Sequence, residues 1–193
     1  MALTSHPFLF ALLFFSFPSF SFFSFTAQHQ QIYKELLYMQ VPLAKQHLKK
    51  LSKKNGCTIA LENTAAIIRL LSNDNPALYN ELKPLEDKHL KLIRSMDKTS
   101  PYFLYYQAEI KLHWAFVHLN YGNQVGAFFH LKSAKSILEE NIKNYPDFIP
   151  NKKTDAIINL ILGSIPGEYR WITDNLGLKG DHYRGLILSL IHI

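Results

Sequence analysis

Three histidines, His113, His118 and His130, are the side chains best suited by type to hold a metal ion or move a proton in this 193-residue chain. His113 and His118 are five residues apart, which on a helix turns them about 140° away from each other. Imidazoles so placed do not converge on one ion, and His130 lies beyond a turn on the next helix. All three read as interhelical or surface side chains. Cys57 is the single cysteine, too little sulfur for a disulfide, a zinc site or an iron–sulfur site. It has no histidine beside it, and no glycine-flanked serine supplies another nucleophile. Glu139 and Glu140 are adjacent on one long helix, an exposed pair rather than a spaced acid–base couple. Gly163, Gly167, Gly177 and Gly180 fall at expected helix ends and build no phosphate loop. The expectation is a chain that is not an enzyme and takes no metal or other cofactor.

A different kind of chemistry is open to the aromatic residues. Tyr102, Phe103, Tyr105, Tyr106, Trp114 and Phe116 could line a ligand groove, although helical spacing makes core packing their first reading. The net charge of +6 is spread over many segments without a dense stripe, so a nucleic-acid partner is not expected. The run from Lys49 to Lys54 reads as a basic helix end, closed by the C-terminal signal Asn55-Gly56.

The elements that must hold these residues are helical. Ile32, Leu36, Leu37, Val41, Leu43, Ala44, Leu48 and Leu51 keep helical spacing, with Pro42 dividing them into two short helices or one kinked one. A helix over 58–72 follows. Asn75-Pro76 then caps another that reaches Met96 with a bend at Pro84. Ser100-Pro101 opens the most strongly patterned stretch, two long helices joined at Tyr121-Gly122-Asn123. The first is apolar on two faces, one with Ile110, Trp114 and Val117 and one with Ala108, Leu112 and Ala115, so it must be covered on both sides. The return helix carries Ala127, Leu131, Ala134, Leu138 and Ile142 in one stripe. Asn151 or Thr154 is expected to cap the next helix, and the turn at Gly163–Pro166 leads to a last one containing Trp171 and Ile172. Nothing past the front segment alternates with period two, so the class is all-α.

The front segment is different. Residues 1–33 contain no Lys, Arg, Asp or Glu, and Pro7–Phe15 is a continuous apolar run of signal-peptide length. Cleavage is expected after Ala27, making residues 1–27 a leader and exporting the rest, by expectation to the periplasm or cell envelope of a bacterium. A retained membrane anchor and a misread start codon are the alternatives, and membrane contact is expected only through this segment if it is uncleaved.

Trp114-Ala115 stands eight and seven residues before Gly122, and Ala127, Leu131 and Ala134 follow at steps of five, four and three. This pattern resembles the tetratricopeptide repeat, with a turn glycine, an amide partner in Asn123 and small-large-small spacing in the second helix. It departs at its end, because the closing Pro146 comes twelve residues after Ala134. Gly180–Gly185 echoes the same turn, and residues 137–180 are similar to uncharacterised exported bacterial proteins with degenerate tetratricopeptide-like helices. The resemblance implies antiparallel helical hairpins over residues 28–187, stacked as a right-handed α-solenoid that presents a concave groove to a protein or peptide. In that register Glu109, Phe116 and Asn120 would face the groove. The last six residues, Leu188–Ile193, match a translated transposase adaptor end from sequencing libraries, so the natural sequence is expected to run on differently beyond Ile187. A helical accessory region of a longer enzyme or envelope transport component is therefore the alternative function.

Overall fold

The computed structural model describes residues 22–52, 54–73 and 75–178. The basic run at 49–54 is partly outside it; most of the leader, the Gly180–Gly185 turn and the last six residues lie outside the described residues altogether. Among those described the chain is all-helical: α1 (Ala27–Leu37), α2 (Val41–Leu48), α3 (Gly56–Leu71), α4 (Pro76–Leu82), α5 (Leu85–Arg94), α6 (Pro101–Asn120), α7 (Gln124–Asn144), α8 (Pro150–Gly163) and α9 (Arg170–Asn175). The helix boundaries follow local chemistry. The Asn75 side chain accepts from the Ala77 amide at 2.9 Å, Ser100 accepts from Tyr102, and Asn123 accepts from Gly126. Pro84 separates α4 from α5, and Gly122 takes φ 75° in the α6–α7 turn, where a side chain would be strained.

Two boundaries differ from the sequence reading. Asn55-Gly56 does not close a helix: α2 stops at Leu48, and Asn55 instead caps α3, accepting from the Cys57 amide at 2.9 Å. The reason lies upstream. The Phe23 ring packs so closely on Gly56 that a β-carbon there would collide with it, and the Gly56 amide donates to the Phe22 carbonyl at 2.7 Å. Neither Asn151 nor Thr154 caps α8, which starts at Pro150; both are buried inside it and bonded to other helices. Asn141 Nδ2 donates to Asn151 Oδ1 at 2.8 Å, and Thr154 Oγ1 donates to Glu109 Oε1 at 2.6 Å.

The core is layered along the chain. Ile32, Leu36, Ala44 and Leu48 of α1 and α2 pack on Leu61 and Ala65 of α3. Ile59, Ile67 and Leu70 of α3 meet Leu90 and Ile93 of α5 and Ile110, Trp114 and Val117 of α6. The other face of α6, Ala108, Leu112 and Ala115, meets Leu131, Ala134 and Leu138 of α7 and Ile158 and Leu162 of α8. Helix α6 is thus covered on both apolar faces, as its pattern requires. Trp114 is fully buried, a burial of the kind that contributes about 2–3 kcal/mol. Small Ala127 and Ala134 let α7 lie along nearly the whole of α6. No described helix is long and apolar enough to cross a membrane.

Candidate functional site

Helix α3 packs between α1 on one side and α6 on the other, and α6 packs on α8. A groove of about 270 Å³ runs between them. Its floor is the stripe Cys57, Ala60, Leu61 and Thr64, spaced at three or four residues along α3 and small enough to leave room above. Phe25 and Tyr33 form one lip. They are 50% and 42% exposed. The opposite wall is α6, with Tyr102, Tyr105, Tyr106, Glu109 and His113, extended by Lys153 of α8.

The wall divides into an aromatic end and a polar end. At the aromatic end Tyr102 and Tyr106 stack with centroids 5.5 Å apart, Phe23 stacks behind both, and Phe148 stands edge-on to Tyr102 and Tyr105. Tyr106 donates to the Cys57 sulfur at 3.3 Å. Burial pushes the Cys57 thiol above its ordinary range, the opposite of what a thiolate nucleophile needs. The Tyr105 phenol is pushed up to about 12, by burial first and by the Glu109 charge second.

At the polar end Asn63 fixes the protons. It is fully buried, and its Oδ1 accepts from Trp114 Nε1 at 3.1 Å. An indole N–H can only donate, so Asn63 Nδ2 must be the group 3.3 Å from His113 Nδ1. His113 therefore accepts at Nδ1 and carries its proton on Nε2. Burial holds its pKa below the ordinary histidine value, which keeps it neutral. Among the described residues its Nε2–H meets no acceptor, and the ring lines the groove. Beside it Glu109 takes the Thr154 hydroxyl at 2.6 Å and the Lys153 ammonium at 3.3 Å. Burial raises the Glu109 carboxyl, but the Lys153 charge, His113 and these hydrogen bonds outweigh it and leave the pKa low. Lys153 is half-exposed and also hydrogen-bonds the Tyr105 hydroxyl.

The three residues expected to share a groove do not share one. Glu109, Phe116 and Asn120 lie on one face of α6, but α8 crosses that face. Its first turn closes on Glu109 through Lys153 and Thr154. Its last turn stands over Phe116, which lines a separate cavity of about 300 Å³ with Leu112, Leu119, Phe128, Leu131 and Ile161. That second cavity is almost wholly apolar. Asn120 lies exposed beyond both.

A third constellation was missed because it needs three helices. Glu86 of α5, His118 of α6 and His130 of α7 bring one ligand atom each to within 4.8 Å of one another. Such a set could hold a metal ion, but a cation is already there. Lys111 Nζ lies 2.7 Å from Glu86 Oε1, and His130 Nε2 lies 2.9 Å from the same oxygen. The other His130 nitrogen faces the Gly126 carbonyl at 2.9 Å. Asn123, its oxygen occupied by the Gly126 amide, donates to His118 Nδ1 at 3.0 Å and takes that lone pair as well. The His118 pKa is held low by burial and then by His130. Burial raises the Glu86 carboxyl, but His130 and Lys111 more than reverse this and leave it below its usual range. The cluster is a satisfied ionic tie between α5, α6 and α7 rather than an open donor set.

Comparison with known proteins adds no relative: no family model, no curated protein and no solved structure matches this chain.

Proposed function

We propose that this chain is a non-enzymatic interaction scaffold, built as a tetratricopeptide-like right-handed solenoid, exported to the cell envelope, that holds a peptide or protein partner along the groove over α3. The observation that carries this reading is the groove itself, lined by α1, α3, α6 and α8. Those are the helices that would be the first of each hairpin, and the first helices line the concave side of such a solenoid. The order of packing supports the same architecture, since each helix pair buries its apolar face on the next along the chain. The charge-free apolar run Pro7–Phe15 supports export, with processing upstream of Phe22 in this reading, since Phe23 packs in the core and Phe25 lines the groove. The residues in the groove support binding over catalysis: Glu109 is neutralised by Lys153, and the buried thiol is not activated.

Panning a random linear peptide library on the immobilised chain tests this. Enrichment is expected on the wild type and loss of it on Ala60→Trp, which fills the groove floor. Equal enrichment on both proteins would place binding elsewhere and defeat the proposal.

A further inference from the structure

The arm of chain ahead of α1, residues 22–26, is built into the fold. The Phe23 ring is 7% exposed and lies over Gly56, stacked on Tyr102 and Tyr106 with centroids 6.2 and 6.1 Å away. The backbone on either side of it is held as well. The Gly56 amide donates to the Phe22 carbonyl at 2.7 Å, and Asn55 Nδ2 donates to the Ser24 carbonyl at 2.8 Å. Phe25 lines the groove, and Thr26 caps α1 against His29, whose other ring nitrogen lies 3.0 Å from the Thr58 hydroxyl of α3. Gly56 is the counterpart of this arm, because a β-carbon there would collide with the Phe23 ring. An exported product that folds this way keeps the Phe22 carbonyl, so its first residue is Phe22 or lies before it.

A leader-removing endopeptidase reads the chain by small residues one and three positions before the bond it cuts. Past Phe15, where the apolar run ends, few frames meet that requirement. Ala27 has Phe25 at its outer position. Ser24-Phe25-Thr26 is small at both, but a cut there or after Ala27 strips Phe23 from the core, empties its place over Gly56 and removes the Phe22 and Ser24 carbonyls. Ser19-Phe20-Ser21 has serine at both positions, and a cut after it leaves the whole arm on the product.

We infer that the leader is removed by hydrolysis of the Ser21–Phe22 bond, so that the exported protein begins at Phe22 with its arm docked on α3 and α6. This rests on the export reading above, and adds the processing site. A water oxygen bonds to the Ser21 carbonyl carbon, the bond from that carbon to the Phe22 nitrogen breaks, and the nitrogen takes a proton to become the new α-amino group. The enzyme is a membrane-associated endopeptidase of the leader-removing class.

The test is to produce the full chain in an export-competent bacterium and read the envelope fraction by intact mass and N-terminal sequencing. The expected first residue is Phe22, with the mass of residues 1–21 lost. Ser19→Leu and Ser21→Leu, both outside the arm, should each leave most of the chain at full length. Ala27→Leu, at an exposed position that would block a cut after residue 27, should leave processing unchanged. Gln28 or any other first residue in the envelope fraction overturns this inference while leaving export standing. An uncleaved chain that added protease can reach from outside does the same. An uncleaved chain confined to the cytoplasm overturns both.

Discussion

The two cavities beside α6 are close in size, about 270 and 300 Å³, and opposite in character. The groove over α3 has rings at one end and an ordered set of donors at the other, each fixed by a buried partner. The cavity under Phe116 has almost no polar surface and is bounded by side chains that a packed core would bring together. The difference separates a space lined by directional polar groups from one lined by apolar side chains alone. Apolar walls set an area, whereas an oriented N–H beside a neutralised carboxylate sets a direction and a charge. The phenylalanine that the sequence points to lines the second space, and the glutamate lines the first.

Four substitutions sharpen the contrast. Phe23→Ala removes a buried ring that backs the tyrosine wall, and is expected to cost about 3–4 kcal/mol in chemical denaturation. A chain starting at residue 28 should lose at least as much relative to one starting at residue 22, since Phe23 lies on the leader side of the expected cleavage point. Asn63→Ala strips the partner from Trp114 Nε1 and His113 Nδ1 and is expected to cost about 2–3 kcal/mol. Glu109→Gln breaks a pair that is sheltered on one side only and is expected to cost about 1–2 kcal/mol. Because the folded Glu109 pKa is depressed, its stabilisation is present above about pH 4.3 and is lost as pH falls through the lower folded value; Glu109→Gln should flatten that acid limb of the melting curve. Leu119→Ala, by contrast, trims an exposed part of the apolar cavity's wall and is expected to cost less than about 1 kcal/mol with no change in peptide binding.

Local chemistry was legible and tertiary chemistry was not. The caps at Asn75 and Ser100 and the turn at Gly122 are written within a few residues of where they act, and the bend expected at Pro84 is a full break between two helices. The two apolar faces of α6 predicted the two clusters that now cover it. The angle between His113 and His118 was also informative: they serve different networks, one with Asn63 and one with His130. What spacing on a single helix cannot give is the partner across the gap, so Glu86 and His130 were not joined to His118. Asn55-Gly56 was misread for the same reason, because the group that demands a glycine there is Phe23, far upstream. Glu109, Phe116 and Asn120 do share a helix face, but the path of α8 across that face divides them.

The most direct measurement of the central claim is an amide and methyl NMR titration of the full chain with an enriched peptide. Perturbations are expected to centre on Ala60, Leu61, Thr64, Glu109 and His113, with Ala127, Leu131 and Ile161 unmoved. Perturbations centred on the residues around Phe116, with the α3 floor unmoved, would contradict it.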